Sequence, residues 1–172
     1  MTTSADLHTS GLRVQPTWRF ILSHPAYFVA FGFGSGLFPR SPGTACTLVA
    51  FPIYWLLAPL VTDGQFILVL MVAFIAGIWI CGKTGTTLGD NDYGGIVWDE
   101  IVAFLLVLIF TPAGFFWQLL AFSLFRFFDI VKPPPIRYFD STWHGGLGVM
   151  FDDLLAAGYT LLCLALIKSV IP

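Results

Sequence analysis

A chain of 172 residues that is 57% apolar, 17% aromatic and only 10% charged is not the recipe of a water-soluble domain, in which about 25% of residues are charged. Its 8 Lys and Arg against 10 Asp and Glu give a net charge of −2, without the basic run that grips nucleic acid, so no nucleic-acid partner is expected. Cys46, Cys81 and Cys163 stand singly in apolar stretches; without paired spacing they suggest neither a zinc site nor a disulfide framework, and they read as small hydrophobes in packed helices.

Charges are expensive in lipid, so charge-free runs locate membrane helices. Four such runs stand out, at residues 41–62, 64–82, 101–125 and 154–167. The third is broken at Thr111-Pro112-Ala113-Gly114 and reads as two helices joined by a tight turn, one over residues 96–111 and one over 113–131, each taking in charged residues at its flank. The first helix is expected to begin at Thr44 and the last to leave from Asp152 and Asp153, with Thr44 and Asp152 as N-cap residues. The expectation is an all-α, polytopic helix bundle of four to five spans. Residues 1–19 would form a polar tail and residues 20–172 a single membrane-embedded domain.

Residues 20–39 are apolar enough to span, but His24-Pro25 and the glycines at 32, 34 and 36 interrupt the helical pattern, which favours an interfacial or re-entrant path. No small-x-small site follows to mark a cleaved signal peptide. Threading five helices from Arg40 onward, each crossing switching sides, places eight of the ten acids, all but Asp6 and Asp63, at one membrane face. With residues 20–39 not crossing, the same face holds seven of the eight Lys and Arg, all but Lys168, and the positive-inside rule makes it cytoplasmic.

The acids of this layer are Asp99-Glu100, Asp129 and Asp152-Asp153. Ionisable groups inside membrane helices mark functional sites. Hard oxygen ligands in this number suit Mg²⁺ or Mn²⁺, which take one or two carboxylates plus waters and phosphate oxygens. Arg126 and Asp129 are three apart on one helix face, and Lys132 follows just before three prolines stop the helix. A guanidinium and an ammonium there can meet a phosphate. Plain interfacial ion pairing is the structural alternative for the acids, and headgroup snorkelling for Arg126 and Arg137.

Two glycine-rich stretches, GFGSGLFPRSPGT (residues 32–44) and HGGLGVMFDD (residues 144–153), complete the layer. Glycines free backbone N–H groups to turn toward an anion. His144, the only histidine of the layer, is a candidate proton shuttle or a simple headgroup contact. The stretch DNDYG at residues 90–94 imitates a calcium loop, but position twelve is Ile101 where a glutamate is required. No dinucleotide fingerprint, P-loop or nucleophile elbow is present.

Taken together, residues 32–44, DYGGIVWDE (residues 92–100), FRFFDIVKPPPIR (residues 125–137), Asp140 and HGGLGVMFDD strongly resemble the phosphatidylglycerophosphatase A family, in order and spacing, from about Phe31 to Gly158. The resemblance implies a Mg²⁺-dependent lipid phosphatase of the bacterial inner membrane that removes the terminal phosphate of phosphatidylglycerophosphate. The family's acidic motif residues fall on Asp92, Asp99, Glu100, Asp129, Asp140, Asp152 and Asp153, and its basic ones on Arg126, Lys132 and Arg137. On this reading Asp92, Asp99, Glu100, Asp152 and Asp153 are candidate metal ligands. Asp129, Arg126, Lys132 and His144 are candidate catalytic residues, and Arg40, Ser41, Thr44 and Arg137 are candidate substrate-binding residues. Ala103 and Ala157 stand where the family usually has glycine, and Ala45-Cys46-Thr47 replaces a small Gly-Ser pattern. These departures are expected to affect helix packing without touching a proposed ligand.

Three other functions compete. A phosphatidyltransferase would need an Asp-Gly, Ala-Arg and further acidic motif, which is absent. A histidine-dependent lipid phosphatase would need two well-placed histidines. A divalent-cation transporter or other non-enzymatic membrane protein would spread its acids along a pathway, whereas the opposite face offers only Asp63 and Lys168.

Overall fold

The computed structural model of the protein describes residues 16–91 and 93–170, so Arg13 and the candidate ligand Asp92 lie outside the described residues. Every regular element among the described residues is helical. The N-terminal apolar stretch does not form one spanning helix. Thr17 caps α1 (Trp18–Leu22), and the His24 side chain accepts the Ala26 N–H to start α2 (Pro25–Ala30). A 3₁₀ turn follows at Gly32–Leu37, where Gly32, Phe33 and Gly34 all take left-handed φ values.

Five long helices come next, where the charge-free runs place them, with their ends shifted. α3 (Pro42–Leu57) begins with Pro42 after an N-cap at Ser41, so Thr44 lies inside the first turn and is not the cap; proline is pre-shaped for the first helical position and lacks the N–H a cap would satisfy. α4 (Asp63–Leu88) opens on a capping box in which Thr62 and Gln65 each accept the other's backbone N–H. It closes at the left-handed Gly89. α5 (Trp98–Phe110) and α6 (Phe115–Val131) are joined by the turn expected at residues 111–114, with Gly114 at positive φ. The short α7 (Ile136–Thr142) follows the prolines.

α8 (Gly146–Val170) starts six residues before Asp152. Asp152 and Asp153 are therefore inside its second turn and cap nothing. The cause is steric: a Cβ at Gly146 would overlap the Ile78 carbonyl, and one at Gly148 would overlap the Trp143 carbonyl. The glycines let α8 wind N-terminally while touching α4 and the end of α7.

α5 is the axis of the bundle and packs against α3, α4, α6 and α8. Most of its length is buried, from Asp99 through Leu108, as expected of a helix apolar on every side. Phe104 sits in an aromatic cluster with Phe51, Phe122 and Phe125 at centroid distances of 5.2, 6.1 and 5.3 Å, within the range where offset and edge-to-face pairs attract. Trp98 donates its indole N–H to the Ala73 carbonyl at 3.1 Å and so pins α5 to α4. The N-terminal turns dock on the start of α5: Val97 N donates to Ala30 O at 2.8 Å, and Gly36 and Gly95 approach backbone to backbone.

Large apolar side chains point outward all around, including Leu56 on α3, Val72 and Ile75 on α4, Phe115 and Phe116 on α6 and Leu166 on α8. An apolar belt of this extent is a membrane or partner surface. By length and composition α4 and α8 can each cross a membrane.

The α4–α8 contact yields a test. Gly146→Ala should push the two helices apart and destabilise the protein by about 1–3 kcal/mol, whereas Gly64→Ala, with nothing within 4 Å of the new methyl, should leave stability unchanged or slightly raised. Unfolding of both variants in detergent micelles measures the difference.

Candidate active site

The first turn of α5, the last turns of α6 and the second turn of α8 converge on a cavity of about 100 Å³. Its walls include Asp99 and Glu100 from α5, Asp129 from α6, Lys132 from the α6 cap, and Asp152 and Asp153 from α8. Five carboxylates therefore face a single lysine. The loop before α5 closes the cavity with Tyr93 and Gly94. An N-terminal turn is a favourable place for acids, because the helix dipole and free N–H groups there attract negative charge.

Two cations hold the set in place. Arg126 bridges Glu100 on α5 and Asp129 one turn along its own helix, the second pair at 2.6 Å. It does not itself line the cavity. The Lys132 ammonium donates to Asp140 on α7 and to Asp152 on α8, both at 2.6 Å. Lys132 ends α6 in the left-handed region, φ 45°, a conformation costing a non-glycine residue about 1–3 kcal/mol. The two ion pairs compensate that cost. Burial alone would lower the Lys132 ammonium, but Asp152 and Asp140 outweigh it and hold the group above the ordinary lysine range.

Glu100 has two further partners, both from α3. Thr47 Oγ1 donates to it at 3.3 Å and Cys46 Sγ lies 3.4 Å away. The expectation that the departure at residues 45–47 touches no proposed ligand is thus corrected. Three to four residues apart, the start of α3 and residues 46–47 share a helix face, and that face is turned to the acids. Gly43 supplies the room, since a Cβ there would overlap the Glu100 carboxylate and crowd Arg126. Of the other two departures, Ala103 is buried on α5 one turn beyond Asp99, and Ala157 is buried on α8 one turn beyond Asp153.

Asp99, Asp152 and Asp153 are almost wholly buried, at 7%, 7% and 2% exposure. One oxygen of each has no hydrogen-bond partner. A buried unpaired carboxylate oxygen is costly, and three on one cavity wall make a donor set for a hard cation. Among the described residues no three Asp, Glu, His or Cys side chains stand close enough together to hold a metal ion as a ready-made cage. Mg²⁺ does not demand one, because it keeps waters and takes phosphate oxygens alongside one or two carboxylates. The donor chemistry fits.

The remaining candidates lie elsewhere. His144 is exposed and lines a neighbouring cavity of about 210 Å³ with Asp90, Asn91, Asp140 and Trp143; it is not brought to the acid wall. Arg40, Ser41 and Arg137 are exposed and Thr44 is half-buried, and none of the four lines the acid cavity. Ser41 Oγ donates to its neighbour's carbonyl, Arg40 O, at 2.8 Å.

Thr47 offers a test of this geometry. Thr47→Val removes the hydroxyl whose one proton is shared between Gly43 O at 2.7 Å and Glu100 at 3.3 Å and should cost about 0.5–1.5 kcal/mol, the net worth of an ordinary hydrogen bond. Thr47→Ser should recover most of it in the same detergent unfolding measurement.

A family model described as Phosphatidylglycerophosphatase A matches residues 28–168. A protein named Phosphatidylglycerophosphatase A from Haemophilus influenzae is 42% identical over 148 residues, covering 86% of this chain and 91% of its own. One of the same name from Escherichia coli is 40% identical over 139 residues, covering 80% of each. A Bacteroides thetaiotaomicron protein named as a candidate phosphatidylinositol-3-phosphatase is 39% identical over 148 residues, covering 81% of this chain and 91% of its own. No solved structure matches. On the family match over residues 28–168 and these relatives, the chain belongs to the phosphatidylglycerophosphatase A family of phosphatases.

Proposed function

We propose that this chain hydrolyses the terminal phosphate of phosphatidylglycerophosphate, giving phosphatidylglycerol and inorganic phosphate, as a step of phospholipid biosynthesis. The observation that carries the reading is the cavity in which five carboxylates, three with unpartnered buried oxygens, meet one lysine at the ends of three apolar helices. A water oxygen attacks phosphorus, the bond to the glycerol oxygen breaks, and that oxygen leaves with a proton.

The cofactor of this reading is Mg²⁺, one or two ions, held by Asp99, Glu100, Asp152 and Asp153 and aided by Asp92. When bound, Mg²⁺ supplies charge neutralisation at the phosphate and lowers the pKa of the attacking water. Lys132 has three N–H donors, two of them used by Asp140 and Asp152, and the third serves a phosphate oxygen as charge develops. Arg126 acts by holding Glu100 and Asp129, behind the cavity wall. Asp129, with its carboxylate on the wall, is the nucleophile of the rival route through an aspartyl-phosphate. Arg40, Ser41, Thr44 and Arg137 meet the lipid headgroup outside the cavity, and His144 acts from the neighbouring pocket.

In this reading α3, α4, α5, α6 and α8 are five spans of a bacterial inner-membrane protein. Residues 20–172 form one embedded unit and residues 1–19 a tail. The length of α4 and α8 and the outward apolar belt support it. The excess of Lys and Arg at the acid face supports a cytoplasmic orientation.

A second substrate is favoured by one observation, the different name carried by the relative from Bacteroides thetaiotaomicron. Phosphate release by purified protein from phosphatidylglycerophosphate, phosphatidylinositol 3-phosphate and phosphatidic acid, each with Mg²⁺ and with EDTA, separates the readings. Metal-dependent release chiefly from the first lipid is expected; release chiefly from the second reassigns the headgroup, and none from any lipid moves the cation-transport reading to the front.

Asp99→Asn and Asp153→Asn should each lower kcat by about 100-fold or more, the scale on which lost transition-state electrostatics registers, with unchanged helix content by circular dichroism. Retained turnover in both would show the ligand assignment to be wrong. Oxygen from labelled water should appear in the released phosphate without a trappable phosphoenzyme; a phosphorylated Asp129 would establish the rival route.

A further inference from the structure

An apolar groove of about 210 Å³ runs between α4, α5 and α8. Met71 and Ile75 form its outer rim and are exposed to the surroundings of the bundle. Ala103 and Leu106 form its floor along α5, and Leu154 its far side. Every wall but one is apolar. The exception is Asp99, whose carboxylate also lines the acid cavity and carries a buried oxygen without a partner.

An aspartate at one end of an otherwise hydrocarbon-lined groove is an expensive arrangement, and it has a use where a ligand changes from apolar to phosphorylated along its length. From Asp99 to Leu106 the groove follows α5 for about 10 Å at 1.5 Å per residue, leading from the acid face toward the bundle centre. Its rim opens sideways, where a lipid arrives.

We propose that this groove seats one acyl chain of the phosphorylated lipid whose headgroup enters the acid cavity, so that Asp99 marks the boundary between chain and headgroup. The proposal rests on the lipid-phosphatase reading. Chain contact in the groove positions the phosphate against the acids, and the enzyme therefore prefers long-chain over short-chain forms of the same headgroup.

The test compares kcat/KM for dioleoyl and dihexanoyl phosphatidylglycerophosphate in detergent micelles, for the wild type and three variants. Met71→Trp at the exposed rim and Ala103→Leu on the floor narrow the groove, while Val72→Trp places the same bulk on an exposed neighbour outside it. In the wild type the dioleoyl form should be favoured. Met71→Trp and Ala103→Leu should lower the dioleoyl-to-dihexanoyl ratio about tenfold, the loss of contact to roughly two methylenes, and Val72→Trp should leave the ratio unchanged. Met71→Trp, at an exposed position, keeps the test decisive if the buried Ala103→Leu fails to fold. A ratio unmoved by Met71→Trp, in a wild type that turns over the lipids, overturns the groove alone. A wild type inactive on both chain lengths overturns the phosphatase reading and the groove with it.

Discussion

Burying a carboxylate oxygen without a partner is costly, and this bundle buries three carboxylates, each with one such oxygen, around the start of its most apolar helix. Much of the acid face can be understood as a response to that cost. Glu100 receives a guanidinium, a hydroxyl and a thiol, and Asp152 shares a lysine with Asp140. Asp99, Asp152 and Asp153 each keep one oxygen unspent. The protein satisfies enough of the acids to fold, and leaves the remainder turned toward a space that a cationic or phosphate-bearing ligand can enter.

Such a face can be built only if helix ends come closer than ordinary side chains permit. Gly43 lets α3 meet Glu100 and Arg126, Gly146 lets α8 meet α4, and Gly36 with Gly95 lets the N-terminal turn rest on the strand of residues before α5. The glycines of the two rich stretches thus act mainly as points of close backbone approach. Their expected role as anion-cradling loops has less to do with where they sit, since Gly43 and Gly146 are each filled against protein atoms.

The helices were legible because long runs free of charge mark α3, α4 and α8, while the Pro-Gly break at residues 111–114 divides a fourth run into α5 and α6, each of which takes in charged residues at its acid-face end. The gathering of Asp99, Glu100, Asp129, Asp152 and Asp153 was legible for a topological reason: an alternating path returns the same face at every second helix end. Helix starts were less legible, because Ser41-Pro42 and Gly145-Gly146 begin helices through backbone shape, while the polar side chains at Thr44 and Asp152 offered a more conspicuous signal. Thr47 and Cys46 were not legible at all. A threonine in an apolar helix normally satisfies itself by donating to the carbonyl four residues back, which Thr47 also does, and nothing in its neighbours announces a second acceptor on another helix. His144 has the right chemistry, but the turn at Gly145 leaves it in the adjoining pocket.

The position of Asp152 and Asp153 on the last helix bears on how the protein comes into being. α5 carries Asp99 and Glu100 into the bundle long before α8 has been synthesised, and its burial depends on α8 as much as on α3 and α4. Until the final helix arrives, Lys132 lacks one of its two anions and α5 lacks a wall. The site is therefore completed only once α8 has been made, and a nascent chain interrupted before residue 146 would hold three of the five cavity acids with no seal around them, a natural substrate for quality-control proteolysis.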